Sequence, residues 1–198
     1  MSKGTLYIIS GPSGTGKGTI CDIVKKDDGI FVSVSLTSRE KRPGETEGVT
    51  YNYTSAEEFK RLIDEGQMLE WAMYDGNYYG TPRETVQKML DEGKNVILEI
   101  EVQGAAKVKE LFPETVMIFV LPPSMAELKR RLIERGREGL DRIATRLETA
   151  RKEIMLAPRY NYVVVNDDLE DCVSEVREII RQAELSKNNI HKLLNEKI

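Results

Sequence analysis

Residues 5–19 read TLYIISGPSGTGKGT, and the fold follows from how this stretch is read. Leu6 to Ile9 form a short apolar run rich in β-branched and aromatic side chains, the pattern of a buried strand. The run leads straight into Gly11-Pro12-Ser13-Gly14-Thr15-Gly16-Lys17, which has the G-x-x-x-x-G-K spacing of a phosphate-binding loop. Glycines in such a loop let successive N–H groups point into one anion-sized hollow. Lys17 adds a point charge for β- and γ-phosphates, and the positive end of the following helix is aimed at the same place. A glycine-rich turn without function would carry the same letters. The position between an apolar strand and a helical stretch with Ile20, Ile23 and Val24 favours the phosphate loop.

Composition narrows the field. At 198 residues the chain is long enough for one domain with a sizeable core, with room for inserted lobes. Charged residues make up 31% and apolar residues 40%, the balance of a soluble protein. No stretch approaches a membrane span, and the N-terminus lacks a signal-peptide layout, so no membrane partner is expected. Cys21 and Cys172 stand far apart without a C-x-x-C, as reduced thiols of a cytoplasmic protein would. The one histidine, His191, lies near the C-terminus, which excludes most His-based metal sites and Ser-His-Asp chemistry. A net charge of −4 argues against nucleic acid as a partner, so an anionic substrate must be met by local Arg and Lys clusters.

Strand-like and helical stretches alternate along the chain. Leu6–Ile9 is followed by a helix after Gly18 and a strand at Ile30–Val34. Val96–Ile100, a helix near Ala105–Leu111, Val116–Leu121, another helix, Tyr162–Val165 and a long helix to the end complete the series. Nearly continuous apolar strands in βαβ alternation predict an α/β fold with a parallel sheet covered by helices. Residues 35–82 break the rhythm. SLTSREKRPGETEGVTYNYTS is polar and turn-rich, Ser55 and Glu58 form a capping box, and Leu69–Met73 and Tyr78–Thr81 read as a hairpin joined through Asp75-Gly76-Asn77. This predicts a small, mostly-β inserted lobe. Pro82 then opens the next helix and Gly93 ends it.

Residues 124–156 differ again. A second capping box, Ser124 with Glu127, opens two arginine-rich helical stretches, with Arg131 and Arg135 spaced i,i+4, as are Arg142 and Arg146. Taken alone they describe a solvated face laced with Glu134, Glu138 and Glu148. Beside a phosphate loop they read as cations for a transferring phosphoryl group. The expected division is a core of 1–34, 83–123 and 157–198, a lobe at 35–82 and a helical lid at 124–156.

With these pieces assembled, the chain resembles the bacterial-type guanylate kinase family over about residues 4–185. The matching segments are SGPSGTGKGT, SVSLTSREKRPGE, GVTYNY, LEWAMYDGNYYGTP, VILEIEVQGA, FPETVMIFVLPPS, LKRRLIERG and YNYVVVND, in order and with the family's spacing. The resemblance implies a P-loop kinase that phosphorylates GMP, and dGMP, to the diphosphate with ATP and Mg²⁺. It implies that Gly11, Pro12, Ser13, Gly14, Thr15, Gly16, Lys17, Gly18, Thr19 and Asn166 meet ATP. Ser35, Glu70 and Thr81 would meet guanine, while Arg39, Arg42, Tyr51 and Tyr79 would meet the GMP phosphate. Lys17, Arg131, Arg135 and Arg146 would serve the transfer.

Several positions depart from the expected patterns. Gly18 stands where the phosphate-loop signature has Ser or Thr, and it offers no hydroxyl to a metal; the resulting G-K-G-T form resembles that of adenylate kinases. The family's two aspartates after the Val96 strand are here Glu99 and Glu101; Glu99 is assigned to metal, through water, and Glu101 to the GMP side. The lid loop, Arg135-Gly136-Arg137-Glu138-Gly139-Leu140-Asp141, keeps the family's length with altered chemistry. Two other readings remain at this point. One is a different small-molecule kinase of the same fold, disfavoured by the guanine-reading residues. The other is a non-catalytic guanylate kinase-like interaction domain, which would usually lack the phosphate loop and lid arginines. A homo-oligomer is neither required nor excluded, and the segment after Leu185 is amphipathic enough to pack on the core or on a partner.

Overall fold

The first strand, β1 (Leu6–Ser10), is buried along its whole length, with Tyr7, Ile8 and Ile9 fully out of solvent. Side chains of that size contribute roughly 1.5–3 kcal/mol each on burial, which makes β1 an anchor of the core. The computed structural model describes residues 3–74, 76–134 and 140–194, and the chain divides into two compact units. The first comprises Met1–Ile9 and Asp27–Thr115, the second Ser10–Lys26 and Val116–Ile198.

In the first unit, β1 pairs in parallel with β7 (Asn95–Glu99), Leu6 opposite Val96 and Ile9 opposite Glu99. On the other side β7 pairs in parallel with β2 (Ile30–Val32). The strand expected to reach Val34 is thus shorter: the Ser33 N–H still reaches the Ile97 carbonyl at 2.9 Å, and beyond it the chain leaves β7 for a second sheet. That sheet, entirely within 35–82, has the order β4 (Asn52–Tyr53), β3 (Leu36–Thr37), β6 (Asn77–Pro82), β5 (Met68–Tyr74). Helix α2 (Ala56–Asp64) precedes β5, and α3 (Arg83–Asp91) and α4 (Val102–Leu111) flank β7 in sequence. Pro82 is the N-cap of α3, and the Gly93 N–H closes its end on the Leu90 carbonyl at 3.0 Å.

Register matters most along β5 and β6. Met68 lies opposite Pro82 and Glu70 opposite Thr81, so β5 carries one residue more than its partner at Leu69. A bulge of this kind re-aims the side chains beside it. It explains why Met68, Leu69 and Glu70 are all buried, in a strand whose pleat would otherwise turn alternate residues to opposite faces.

In the second unit, β8 (Val116–Leu121) pairs in parallel with β9 (Tyr162–Val165), Ile118 opposite Tyr162. Helix α1 (Lys17–Val24) packs on α7 (Leu169–Leu194). Helices α5 (Met125–Glu134) and α6 (Leu140–Ile154) close on a small apolar core of Leu128, Leu132 and Ala150, with Met125 and Leu147 against it. No helix among the described residues is long and apolar enough to cross a membrane.

The two capping boxes form only in part. Ser55 and Ser124 accept from the Glu58 and Glu127 amides at 3.1 and 3.0 Å, as expected. The glutamates' carboxylates, however, are taken by arginines one turn on: Arg61 holds Glu58, and Arg130 and Arg131 hold Glu127. A charge-assisted bond to guanidinium outcompetes one to a neutral backbone amide.

Candidate functional site

The phosphate loop belongs to the second unit. Gly16 has φ 91° as the N-cap of α1, a conformation that glycine adopts without the Cβ strain other residues meet. The Lys17 ammonium turns back over the loop and donates to the Gly11 and Pro12 carbonyls at 2.6 and 3.0 Å. The Thr15 hydroxyl donates to the Pro12 carbonyl at 2.9 Å. From β9's end, buried Asn166 donates through Nδ2 to the Thr15 carbonyl at 2.7 Å and lies where a side chain on Gly16 would stand. On the other side, Arg146 Nη1 donates to the Ser13 hydroxyl at 3.1 Å. Loop atoms, a lysine and an arginine are therefore brought together, and Asn166 enters as a brace of the loop.

Arg131 lies on α5, with Nε held by Glu127 at 2.8 Å. Arg130 and Arg131 pull the Glu127 carboxyl down to about 2, so its charge stays fixed beside them. Arg135 and the lid loop 135–139 lie outside the described residues. Thr19 is exposed in the first turn of α1, and Gly18 beside it has no ligand to offer.

The first unit carries a second constellation. Arg39 is only 8% exposed, which requires paired charge, and Nη2 donates to both Glu45 carboxylate oxygens at 2.8 and 3.0 Å. Its Nε donates to the Tyr79 hydroxyl at 3.2 Å. The Tyr53 hydroxyl and the Arg42 amide donate to Glu45 Oε2 at 2.8 and 2.9 Å. Tyr51 stands edge-on to Tyr53 and Tyr79, with the Arg39 guanidinium 5.6 Å from its ring centre. Burial opposes ionisation of Glu45, but Arg39, the Arg42 amide and Tyr53 together bring its carboxyl down to about 2. Burial and then Glu99 push the Tyr51 phenol up to about 12, so at neutral pH it is a hydrogen-bond donor. The cluster is a set of donors already arranged around an anion.

Glu70 lies in the same unit. It is 5% exposed, and Oε1 accepts from the Thr81 hydroxyl at 2.7 Å. Burial raises its carboxyl above the ordinary range, opposed by the Thr81 bond and by Lys107 and reinforced by Glu101. A buried carboxylate with one oxygen tied down can accept further hydrogen-bond donors. Glu101 occupies the N-cap position of α4 without a side-chain capping bond, and Glu99 ends β7; both are solvent-exposed.

Of the residues assigned to GMP, the structure brings together Arg39, Tyr51 and Tyr79, and separately Glu70 with Thr81. Ser35 is half-buried, its carbonyl accepting from the Asn52 amide, and Arg42 is exposed, meeting the cluster through its backbone. Sequence reasoning missed Glu45 and Tyr53. Tyr53 follows Tyr51 by two residues, the spacing that shares one face of an extended chain, while Glu45 lies in a polar loop whose pairings only folding sets. No group of three or more His, Cys, Asp or Glu side chains that could hold a metal occurs among the described residues. Single carboxylates such as Glu99 still suit Mg²⁺, which dehydrates reluctantly and is held by substrate phosphates, water and one or two carboxylates.

Comparison with known proteins identifies the family. The guanylate kinase family model matches residues 3–183. A guanylate kinase of Clostridium perfringens (strain SM101 / Type A) is 55% identical over 180 residues, covering 90% of this chain and 83% of the relative. One of Oceanobacillus iheyensis is 49% identical over 191 residues, covering 96% and 93%. The crystal structure of guanylate kinase from Anaplasma phagocytophilum matches with a TM-score of 0.77 at 36% identity, covering 91% of this chain and 86% of that one. The chain belongs to the guanylate kinase family.

Proposed function

We propose that this protein transfers the γ-phosphoryl group of ATP to GMP, giving ADP and GDP, and that dGMP is accepted in the same site. Membership of the guanylate kinase family supports the reaction. The observation that carries the choice of acceptor is Glu70, a buried carboxylate anchored by Thr81 and able to accept from guanine N1–H and its exocyclic amine.

The residues take these roles. Arg39, Arg42, Tyr51 and Tyr79 bind the GMP phosphate; Ser35, Glu70 and Thr81 bind the base, with Glu101 on the GMP side. Gly11 to Thr19 wrap the ATP phosphates, with Asn166 fixing the loop. Residues 35–82 form the GMP lobe and 124–156 the lid. A GMP phosphate oxygen attacks the γ-phosphorus, and the bond to the β–γ bridging oxygen breaks with its electron pair leaving on ADP. No general base is demanded, because a phosphate monoester dianion is already nucleophilic. Lys17, the loop amides, Arg131, Arg135 and Arg146 neutralise the charge that spreads over the transferring group. Glu99 would hold Mg²⁺ through water, and the ion would supply further charge neutralisation. The protein works in the cytoplasm, in purine nucleotide metabolism.

Phosphorus NMR of the purified protein with ATP and GMP tests this reading. ADP and GDP should appear in equal amounts and stop appearing when GMP is omitted. ATP loss with release of inorganic phosphate and no GDP would contradict it.

A further inference from the structure

Gly104 stands in the first turn of α4, and its backbone does not ask for glycine. Its φ is not among the positive values found at nine other glycines. Alanine would favour the helix over glycine at such a position by about 1 kcal/mol. The reason for glycine lies across the fold. A Cβ at position 104 would overlap Glu70 Oε2 and lie 3.1 Å from Glu70 Cδ and 3.6 Å from Cγ; its three nearest neighbours are all atoms of that one side chain. The carboxylate is thus confined between the Thr81 hydroxyl on Oε1 and the bare backbone of α4 on Oε2.

The register of α4 against β5 is fixed close by. One turn along, Lys107 Nζ donates to the Trp71 carbonyl at 2.9 Å and lies 4.8 Å from the centre of its ring. The register shift at Leu69 stands directly before Glu70, whose carboxylate lies against α4 at Gly104.

We propose that Gly104 is a specificity-determining position. By carrying no side chain, it gives the Glu70 carboxylate the room to hold the orientation that accepts two adjacent N–H donors of a purine. The proposal rests on Glu70 reading guanine. The group that a Cβ would displace is the far end of a side chain, so the fold can absorb a methyl by turning Glu70 aside. The cost then falls on recognition rather than on stability.

Gly104→Ala separates the two. Misplacing a reading group by about 1 Å costs on the order of 10²-fold, so kcat/KM for GMP should fall by that order, mainly through KM. Selectivity for GMP over IMP, which keeps the ring N1–H and lacks the exocyclic amine, should narrow. Calorimetric GMP binding should weaken in parallel, and the melting temperature should stay within a few degrees of wild type. Glu70→Asp in the Gly104→Ala background withdraws the carboxylate from the added methyl, so the combined loss should be smaller than the product of the two single losses. GMP activity and selectivity close to wild type in Gly104→Ala, multiplicative losses in the double variant, or a large drop in melting temperature would each overturn the proposal. Glu70→Gln is the control on the underlying reading. If it retains GMP activity, the base assignment and this proposal both fall; if it loses activity while Gly104→Ala does not, only the proposal falls.

Discussion

Replacing Glu70 by glutamine keeps the side chain's shape and changes two things in opposite directions. The Thr81 hydroxyl donates to Oε1 at 2.7 Å; while it keeps donating it holds the amide oxygen of the new side chain, and the NH₂ takes the place of Oε2. Guanine presents N1–H and an amine there, and one good contact becomes donor against donor. A lost charge-assisted bond and an unpaired buried group together give roughly 2–4 kcal/mol, or about 30- to 1000-fold in kcat/KM for GMP. Stability should move the other way. Burial raises the Glu70 carboxyl above its ordinary value, so its favourable contribution is complete below that value and is lost as pH rises through the folded-state pKa. Above the folded-state pKa the ionised side chain is therefore a cost that glutamine does not carry. The ligand-free variant should melt at or above the wild-type temperature at pH 7, with the difference shrinking in acid. The assays are steady-state kinetics at saturating MgATP and thermal melts at both pH values. GMP activity within about threefold of wild type would refute the assignment of Glu70 to the base.

Lys17→Met should lower kcat by at least ~10³-fold in a folded protein if, as proposed, the ammonium held over the loop neutralises the transferring phosphoryl group; circular dichroism with single-turnover kinetics checks both halves. Asn166→Ala removes a buried bond to the Thr15 carbonyl worth about 1 kcal/mol, so KM for ATP should rise roughly five- to tenfold while KM for GMP is unchanged. Glu45, held at about 2 in the folded protein, contributes stability that is present above the ordinary carboxylate range and is lost as pH falls toward 2. Urea melts from about pH 5 down to about 2.5 should show that loss in wild type and a flatter profile in Glu45→Gln.

The parts of the molecule that repeat a local rule were legible in its sequence. The strand before the phosphate loop, the glycine spacing and the apolar strands of the parallel sheet each carry their reason in neighbouring residues. Ser55 and Ser124 were legible as caps, but not the competition that drew Glu58 and Glu127 to arginines, because that depends on which partner is stronger once the helix exists. Glu70 looked anomalous between Leu69 and Trp71, and the bulge that resolves the anomaly appears only when β5 is paired with β6. Glu45 was overlooked because its partners, Arg39 and Tyr53, are set by the folding of a polar loop. Gly104 gave no local signal, since the atoms that need its missing side chain belong to Glu70, far away in sequence.

Phosphoryl transfer restricted to guanine by a buried carboxylate is tested most directly by coupled measurement of ADP production with ATP and, in turn, GMP, AMP, CMP and UMP. Turnover is predicted with GMP, with a preference of at least ~10⁴-fold in kcat/KM over AMP, whose unprotonated ring nitrogen would leave Glu70 without its partner. Comparable rates with AMP or a pyrimidine nucleotide, or ATP hydrolysis independent of all four, would contradict it.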